Sequence, residues 1–204
     1  MRKKLNTQIT KSDLENQFEW YCEELKRVGM IKSFTKYPSS KILSEPVYYR
    51  SNVKATKSKI FKNKTLLNDH YYTPDFIIVW EKCARNIFWR RWEEETIAHI
   101  PFLVNYKSKT ETSEEMYYSV IEIKPGFDME NMTRLFSINQ KWVMQVAKIY
   151  VQKFLVTNDE RCIFAKTFTP IKWLLTPTGK SKTIHFPVQS VSDYIEKRKK
   201  LFEI

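Results

Sequence analysis

Two stretches decide how this chain folds: Thr73-Pro74-Asp75-Phe76-Ile77-Ile78-Val79-Trp80 and Val120-Ile121-Glu122-Ile123-Lys124-Pro125-Gly126. Their β-branched and aromatic content predicts strands over about 71–80 and 117–124. Pro125-Gly126 ends the second one. Side chains alternate along a strand, so Glu122 and Lys124 share one face, and Ile121 and Ile123 turn into a core. Asp75 sits early in the first stretch. A carboxylate among apolar strand residues is costly unless it meets solvent or a binding partner. If the two strands pair, Asp75 and Glu122 can share one cation.

Upstream, residues 12–29 predict a helix. Ser12 and Glu15 have the spacing of a capping box, Leu14, Phe18, Tyr21, Leu25 and Val28 form one apolar face, and Gly29 stops it. Short extended segments are expected over 30–45, around a turn at Pro38-Ser39-Ser40. Residues 50–64 carry Arg50, Lys54, Lys57, Lys59, Lys62 and Lys64 with no acid, as a hairpin tip or loop.

Residues 81–116, with Trp89-Arg90-Arg91-Trp92, read as an insertion forming a long hairpin or a helix-plus-strand flap. The two tryptophans fit core packing or a partner interface better than stacking on bases. Downstream, a helix is expected over 138–152 with Trp142, Val146 and Ile149 on its buried side, then a strand over 154–157. The sum is an α/β fold, a mixed β-sheet flanked by helices. The tail predicts strands near 161–168 and 171–176, a turn at Thr178-Gly179, a return through Thr183-Ile184-His185-Phe186, and a basic helix over 191–203. The organisation expected is a core over 1–158 and a C-terminal β-hairpin plus helix extension over 159–204.

Composition narrows the partners. At 42% hydrophobic and 15% aromatic, 204 residues can bury a substantial core. The net charge of +12 favours a polyanion, of which nucleic acid is the commonest. Cys22, Cys83 and Cys162 are far apart and odd in number, which predicts reduced thiols and neither zinc site nor disulfide framework. The N-terminal segment lacks the apolar run of a secretory signal, and no stretch approaches a membrane span, so a cytoplasmic protein is expected. Gly179-Lys180-Ser181 lacks the upstream glycine of a phosphate-binding loop. His70, His99 and His185 show no metal-ligand spacing.

Hydrolysis of a phosphodiester needs charge neutralisation at phosphorus and an activated water. Hard cations prefer carboxylate and carbonyl oxygens. Glu122 can hold such an ion, the Ile123 carbonyl can be a further ligand, and Lys124 lies close enough to orient the water or stabilise developing charge.

Taken together, Thr73-Pro74-Asp75-Phe76 and Val120-Ile121-Glu122-Ile123-Lys124-Pro125 resemble the signature of the PD-(D/E)xK nuclease superfamily. Ser12-Asp13-Leu14-Glu15 is similar to the family's first motif, a glutamate on the preceding helix. The helix and strand after the Glu-x-Lys strand match too, with Gln140 and Lys141 in the expected first turn and Lys153-Phe154-Leu155-Val156-Thr157 following. Within the superfamily the chain most resembles the head-completion nucleases of T-even phages, through Asn139 and Lys141-Trp142. It resembles the cut subunit of heteromeric transposases and the Holliday-junction resolvases more loosely.

The resemblance covers 12–157 with gaps and implies a restriction-endonuclease-like fold. It implies a DNA endonuclease dependent on Mg²⁺ or Mn²⁺, with Glu15, Asp75, Glu122 and Lys124 catalytic. Asp75, Glu122, the Ile123 carbonyl and Glu15 would serve the metal. Gln140, Lys141, Lys54, Lys57 and Lys59 are the candidate DNA contacts. The setting implied is phage DNA processing or head completion in the bacterial cytoplasm or on the virion, with capsid or portal components as further partners and a homodimer left open. Two alternatives stand beside it: a non-catalytic DNA-binding or virion structural protein on the same scaffold, and a resolvase of branched DNA.

Overall fold

The computed structural model describes residues 11–54, 59–94, 100–112, 114–126, 132–176 and 184–202. Helix α1 spans Lys11–Arg27. It begins before Ser12, so Ser12 lies inside the helix and not at its cap position. Leu14, Phe18, Tyr21 and Leu25 form its buried stripe. The helix closes in a Schellman motif: Met30 N–H donates to Leu25 O at 3.0 Å and Gly29 N–H to Lys26 O at 3.1 Å. Gly29 takes the left-handed conformation this needs, at φ 72°.

The strands, in chain order, are β1 (Ile31–Lys36), β2 (Lys41–Ser44), β3 (Val47–Lys54), β4 (Lys59–Leu67), β5 (His70–Tyr72), β6 (Phe76–Trp80), β7 (Trp89–Arg91), β8 (Phe102–Lys107), β9 (Met116–Lys124) and β10 (Val151–Leu155). The main sheet runs β1-β6-β9-β8-β7, with β10 also on β9. β6 lies between β1 and β9 and is antiparallel to both, and β10 is parallel to β9. One edge of β9 is shared, its first part pairing β8 and its last part β10. Asn105 closes the joint, donating to Tyr150 O at 2.9 Å and accepting from Tyr150 N–H at 2.7 Å.

The strand expected over 71–80 is two strands. Thr73-Pro74-Asp75 separates β5 from β6, because Pro74 offers no N–H for a ladder and β5 pairs with β2 instead. Residues 50–54 and 59–64 belong to an antiparallel ribbon of β3 and β4.

The flap expected over 81–116 is corrected. A short 3-10 turn at Lys82–Ala84 leads into β7, β7 pairs β8 in parallel, and β8 joins the main sheet. Phe88, Trp89, Phe102 and Val104 are buried in the core, which embeds β7 and β8 in the fold.

Helix α2 spans Met132–Ala147, earlier than the 138–152 expected. Its inner stripe is Phe136 and Val143, two turns apart. Val146, expected on the buried side, is exposed in the last turn.

The C-terminal hairpin is corrected too. The segments expected as strands hold one-turn helices, α3 (Ile163–Lys166) and α4 (Ile171–Leu174), followed by α5 (Val191–Phe202). The turn at Thr178-Gly179 and Thr183 lie outside the described residues. Phe164, Phe168 and Trp173 pack into the core that holds α1. Tyr21 stacks on Phe168 with ring centroids 4.3 Å apart, and its hydroxyl donates to Thr167 Oγ1 at 3.1 Å.

The result is a mixed α/β fold with helices on both faces of the sheet. On one face Phe76, Ile78, Trp80, Ile121, Ile123 and Phe154 meet α1 and the tail. On the other, Val120 and Val151 meet Phe136 and Val143 of α2, together with Leu43 and Tyr72. Burial on this scale, at about 25 cal/mol per Å² of apolar surface, holds the strand ends that carry the polar residues. Among the described residues no helix is long and apolar enough to cross a membrane.

Candidate active site

The polar cluster grows from the alternation of β9. Ile121 and Ile123 are fully buried towards α1, which turns Glu122 and Lys124 towards the α2 face, as the strand period requires. Phe76 pairs with Ile121, so Asp75, just ahead of β6, stands beside Glu122 in the register. Asp75 extends the ladder by other means. Its N–H donates to Ile121 O at 3.0 Å, and its Oδ2 accepts the N–H of Ile123 at 2.7 Å. These bonds turn the N–H and C=O groups of Ile121 and Ile123 towards the Asp75 side of β9. The Ile123 carbonyl therefore belongs to the same edge as the Asp75 carboxylate.

Glu122 is held from two directions. Lys124 Nζ bonds its Oε1, and the Tyr72 hydroxyl donates to its Oε2 at 2.8 Å. All three side chains are buried, as is Asp75. Burial of charged groups is tolerated because each is paired and hydrogen-bonded.

Glu15 enters through Tyr37. The Tyr37 hydroxyl donates to Glu15 Oε2, and the Tyr37 N–H donates to Asp75 O at 2.9 Å. Tyr37 adopts φ 49°, a left-handed conformation that costs a side-chain-bearing residue roughly 1–2 kcal/mol. Its two bonds to the acidic cluster offset that cost. Glu19, one turn beyond Glu15, pairs instead with Lys36 at 2.8 Å, and Lys36 also donates to Asn16 at 2.6 Å.

The two tyrosines register the negative potential here. The bond to Glu15 pushes the Tyr37 phenol up to about 12, helped by desolvation and by the charges of Glu15, Asp75 and Glu19. Burial raises Tyr72 far above the ordinary phenol range, with the Glu122 charge and bond and the Asp75 charge adding to it. Both phenols remain neutral donors, so each carboxylate they touch is held as an acceptor. Sequence reasoning missed both tyrosines. Tyr72 immediately precedes the Thr73-Pro74-Asp75 motif, and that proximity was the only available signal.

Of the residues expected at the site, Asp75, Glu122, Ile123 and Lys124 are brought together directly, and Glu15 through Tyr37. Gln140 and Lys141 are not. Because α2 starts at Met132, both lie mid-helix and lose the first-turn position that favours an anion. Gln140 donates to Val151 O at 2.6 Å, which fastens α2 to β10, and Lys141 is an exposed surface residue. Asn139 Oδ1 accepts a bond from His70 Nε2 at 3.1 Å, and Trp142 stacks on the His70 ring. Lys54 and Lys59 lie at the far end of the β3–β4 ribbon, away from the cluster in the chain path. Lys57 lies outside the described residues.

Among the described residues, no three His, Cys, Asp or Glu side chains form a ready-made metal cage. In this conformation the Lys124 ammonium and the Tyr72 hydroxyl occupy the two oxygens of Glu122. The donor set nonetheless suits a hard divalent cation: two carboxylates and a carbonyl, all oxygen, at one sheet edge. Compared with family models, curated proteins and solved structures, the chain finds no match.

Proposed function

We infer that this chain is a metal-dependent DNA endonuclease of the PD-(D/E)xK type. The observation that carries the reading is the meeting of Asp75, Glu122 and Lys124 at the junction of β6 and β9. Asp75 is locked by the Ile123 N–H, and Glu122 is paired to Lys124 on one strand face. The order of elements supports it: a helix bearing Glu15, antiparallel β1, β6 and β9, then α2, and β10 parallel to β9. That is the helix, Glu-x-Lys strand, helix and strand order the resemblance implies.

Asp75, Glu122 and the Ile123 carbonyl would hold Mg²⁺ or Mn²⁺, with Glu15 in support. When bound, the ion polarises the phosphodiester and neutralises charge gathering on its oxygens. The chain's own residues supply the rest. Tyr72 fixes the orientation of Glu122, and the Ile123 N–H fixes that of Asp75, so the carboxylates need little reorganisation. The Lys124 ammonium would orient an attacking water or stabilise the charge on phosphorus. Tyr37 joins Glu15 to the loop that carries Asp75. The products the resemblance implies are a 5′-phosphate and a 3′-hydroxyl. A role in phage head completion or DNA processing, with capsid or portal partners, rests on the resemblance alone.

The test is cleavage of supercoiled, linear and branched DNA with Mg²⁺ or Mn²⁺, wild type against Asp75→Ala. Metal-dependent cutting lost in the variant supports the reading. Preferential cutting of the branched substrate would move it to a junction resolvase. Metal-independent DNA binding with no cutting on any substrate would replace it with a structural DNA-binding role.

A further inference from the structure

The β3–β4 ribbon carries charge and aromatic surface that the cluster at β9 does not use. It is a two-stranded antiparallel sheet of its own, separate from the main sheet. Residues 47–50 and 61–69 are exposed, on both faces of the ribbon. A lone two-stranded ribbon with neither face covered is marginal in water. This one nevertheless displays Tyr48, Tyr49, Phe61, Leu66 and Leu67 to solvent.

The ribbon's charge identifies what covers it. Between Val47 and Leu67 the sequence holds Arg50, Lys54, Lys57, Lys59, Lys62 and Lys64 and no acid. These six supply half of the chain's net charge of +12. An acidic surface of matching length is therefore the complement. Nine residues of β4 span about 30 Å at the usual strand rise, close to one turn of duplex.

The register sorts the side chains. Arg50 pairs with Asn63 and Tyr48 with Thr65, so these four share one face. Tyr49 pairs with Lys64 and Ser51 with Lys62 on the other. Arg and Asn are the residue types whose paired donors and acceptors match guanine and adenine edges in the major groove, which is wide enough for a two-stranded ribbon.

The ribbon is also mechanically continuous with the cluster. Its strands run on into β2 and β5, whose base is anchored by Leu43 and Tyr72 in the α2 core and by His70 against Trp142. Tyr72, the last residue of β5, touches Glu122.

We propose that the β3–β4 ribbon is a duplex-DNA arm that lies in the major groove. Arg50 and Asn63 contact base edges, Lys62 and Lys64 add to the attraction for phosphates, and the arm delivers double-stranded DNA to the Asp75–Glu122–Lys124 cluster. The delivery step rests on the nuclease reading. The groove contact does not.

The experiment is fluorescence-anisotropy binding of the full chain in EDTA to a short duplex and to a single strand of the same length. It compares wild type, Arg50→Ala/Asn63→Ala and Lys62→Ala/Lys64→Ala over a series of salt concentrations. These positions are exposed, and circular dichroism verifies folding. The arm predicts that the duplex binds more tightly than the single strand. The Arg50/Asn63 pair should cost about tenfold or more on the duplex. The lysine pair should lower the salt slope by about one per lysine. Unchanged duplex binding in both double variants overturns the arm, leaving a ribbon that serves a protein partner. Equal losses on duplex and single strand overturn the groove placement. Cutting of DNA by variants with unaltered binding would sink the arm and spare the nuclease, whereas arm-dependent binding without cutting would do the reverse.

Discussion

The Asp75 carboxylate accepts the backbone N–H of Ile123 at 2.7 Å, so the two halves of the motif are joined by a side chain standing in for a missing strand residue. The bond gives Asp75 two separable duties. Asp75→Ala removes both the charge and the acceptor for a buried N–H, and should destabilise by about 1–3 kcal/mol. Asp75→Asn retains an acceptor oxygen and should lose most of the nuclease activity at a much smaller cost in stability. Thermal melts and cleavage assays on the two variants check this. Equal destabilisation by both would show that the bond contributes nothing of its own.

Lys124 and a divalent cation offer Glu122 the same thing, a positive charge against Oε1. Lys124→Met leaves Glu122 buried with Tyr72 as its remaining named donor. Removing one member of a buried pair typically costs about 3–5 kcal/mol. Adding Mg²⁺ should therefore raise the melting temperature of Lys124→Met more than that of wild type, by mass-action linkage. A metal-induced shift no larger in the variant than in wild type would count against metal binding at Glu122.

The phenols set an alkaline limit. Tyr37 is pushed up to about 12 by its bond to Glu15, and Tyr72 is raised further by burial and Glu122. A group whose folded pKa lies above its unfolded value near 10 contributes fully below pH 10. That contribution falls as pH rises through the folded value. Between pH 10 and 12 the melting temperature should fall less steeply in Tyr37→Phe and Tyr72→Phe than in wild type. Parallel curves would show that neither phenol is coupled to its carboxylate.

How much of this was legible beforehand depended on which signals were local. Strand alternation placed Glu122 and Lys124 together, and apolar periodicity found α1. Tyr37 and Tyr72 could not be found this way, because their bonds to Glu15 and Glu122 join residues far apart in the chain. The tail misled for a different reason. Ile163, Phe164, Ile171 and Trp173 have strand-like composition, and one-turn helices are too short to show a helical period. Packing of Phe164, Phe168 and Trp173 against α1 decides their conformation. At α2 the polar Asn139-Gln140-Lys141 looked like a beginning, while Phe136 one turn earlier was already in the core.

Gly126 gives a stability test at the exit from β9. A Cβ there would stand 2.5 Å from Thr157 Cγ2, far inside contact distance. Gly126→Ala should cost about 1–3 kcal/mol through overpacking. Thr157→Ser removes that methyl and retains the hydroxyl that donates to Asp159 at 3.0 Å. The double variant should therefore recover much of the loss. Simple additivity in a denaturant-melt cycle would mean that the two residues do not clash.

We propose that Glu122, paired to Lys124 and set beside Asp75, serves a metal-dependent nuclease. Its most direct test is nicking of supercoiled plasmid as a function of Mg²⁺ or Mn²⁺ concentration, wild type against Glu122→Gln, an isosteric change that removes the charge. Wild type should nick in a metal-dependent way, leaving 5′-phosphate ends, and the variant should lose at least about a hundredfold, the scale of removing one preorganised electrostatic group. Nicking that survives Glu122→Gln, or a folded wild type that cuts no DNA at any metal concentration, would contradict it.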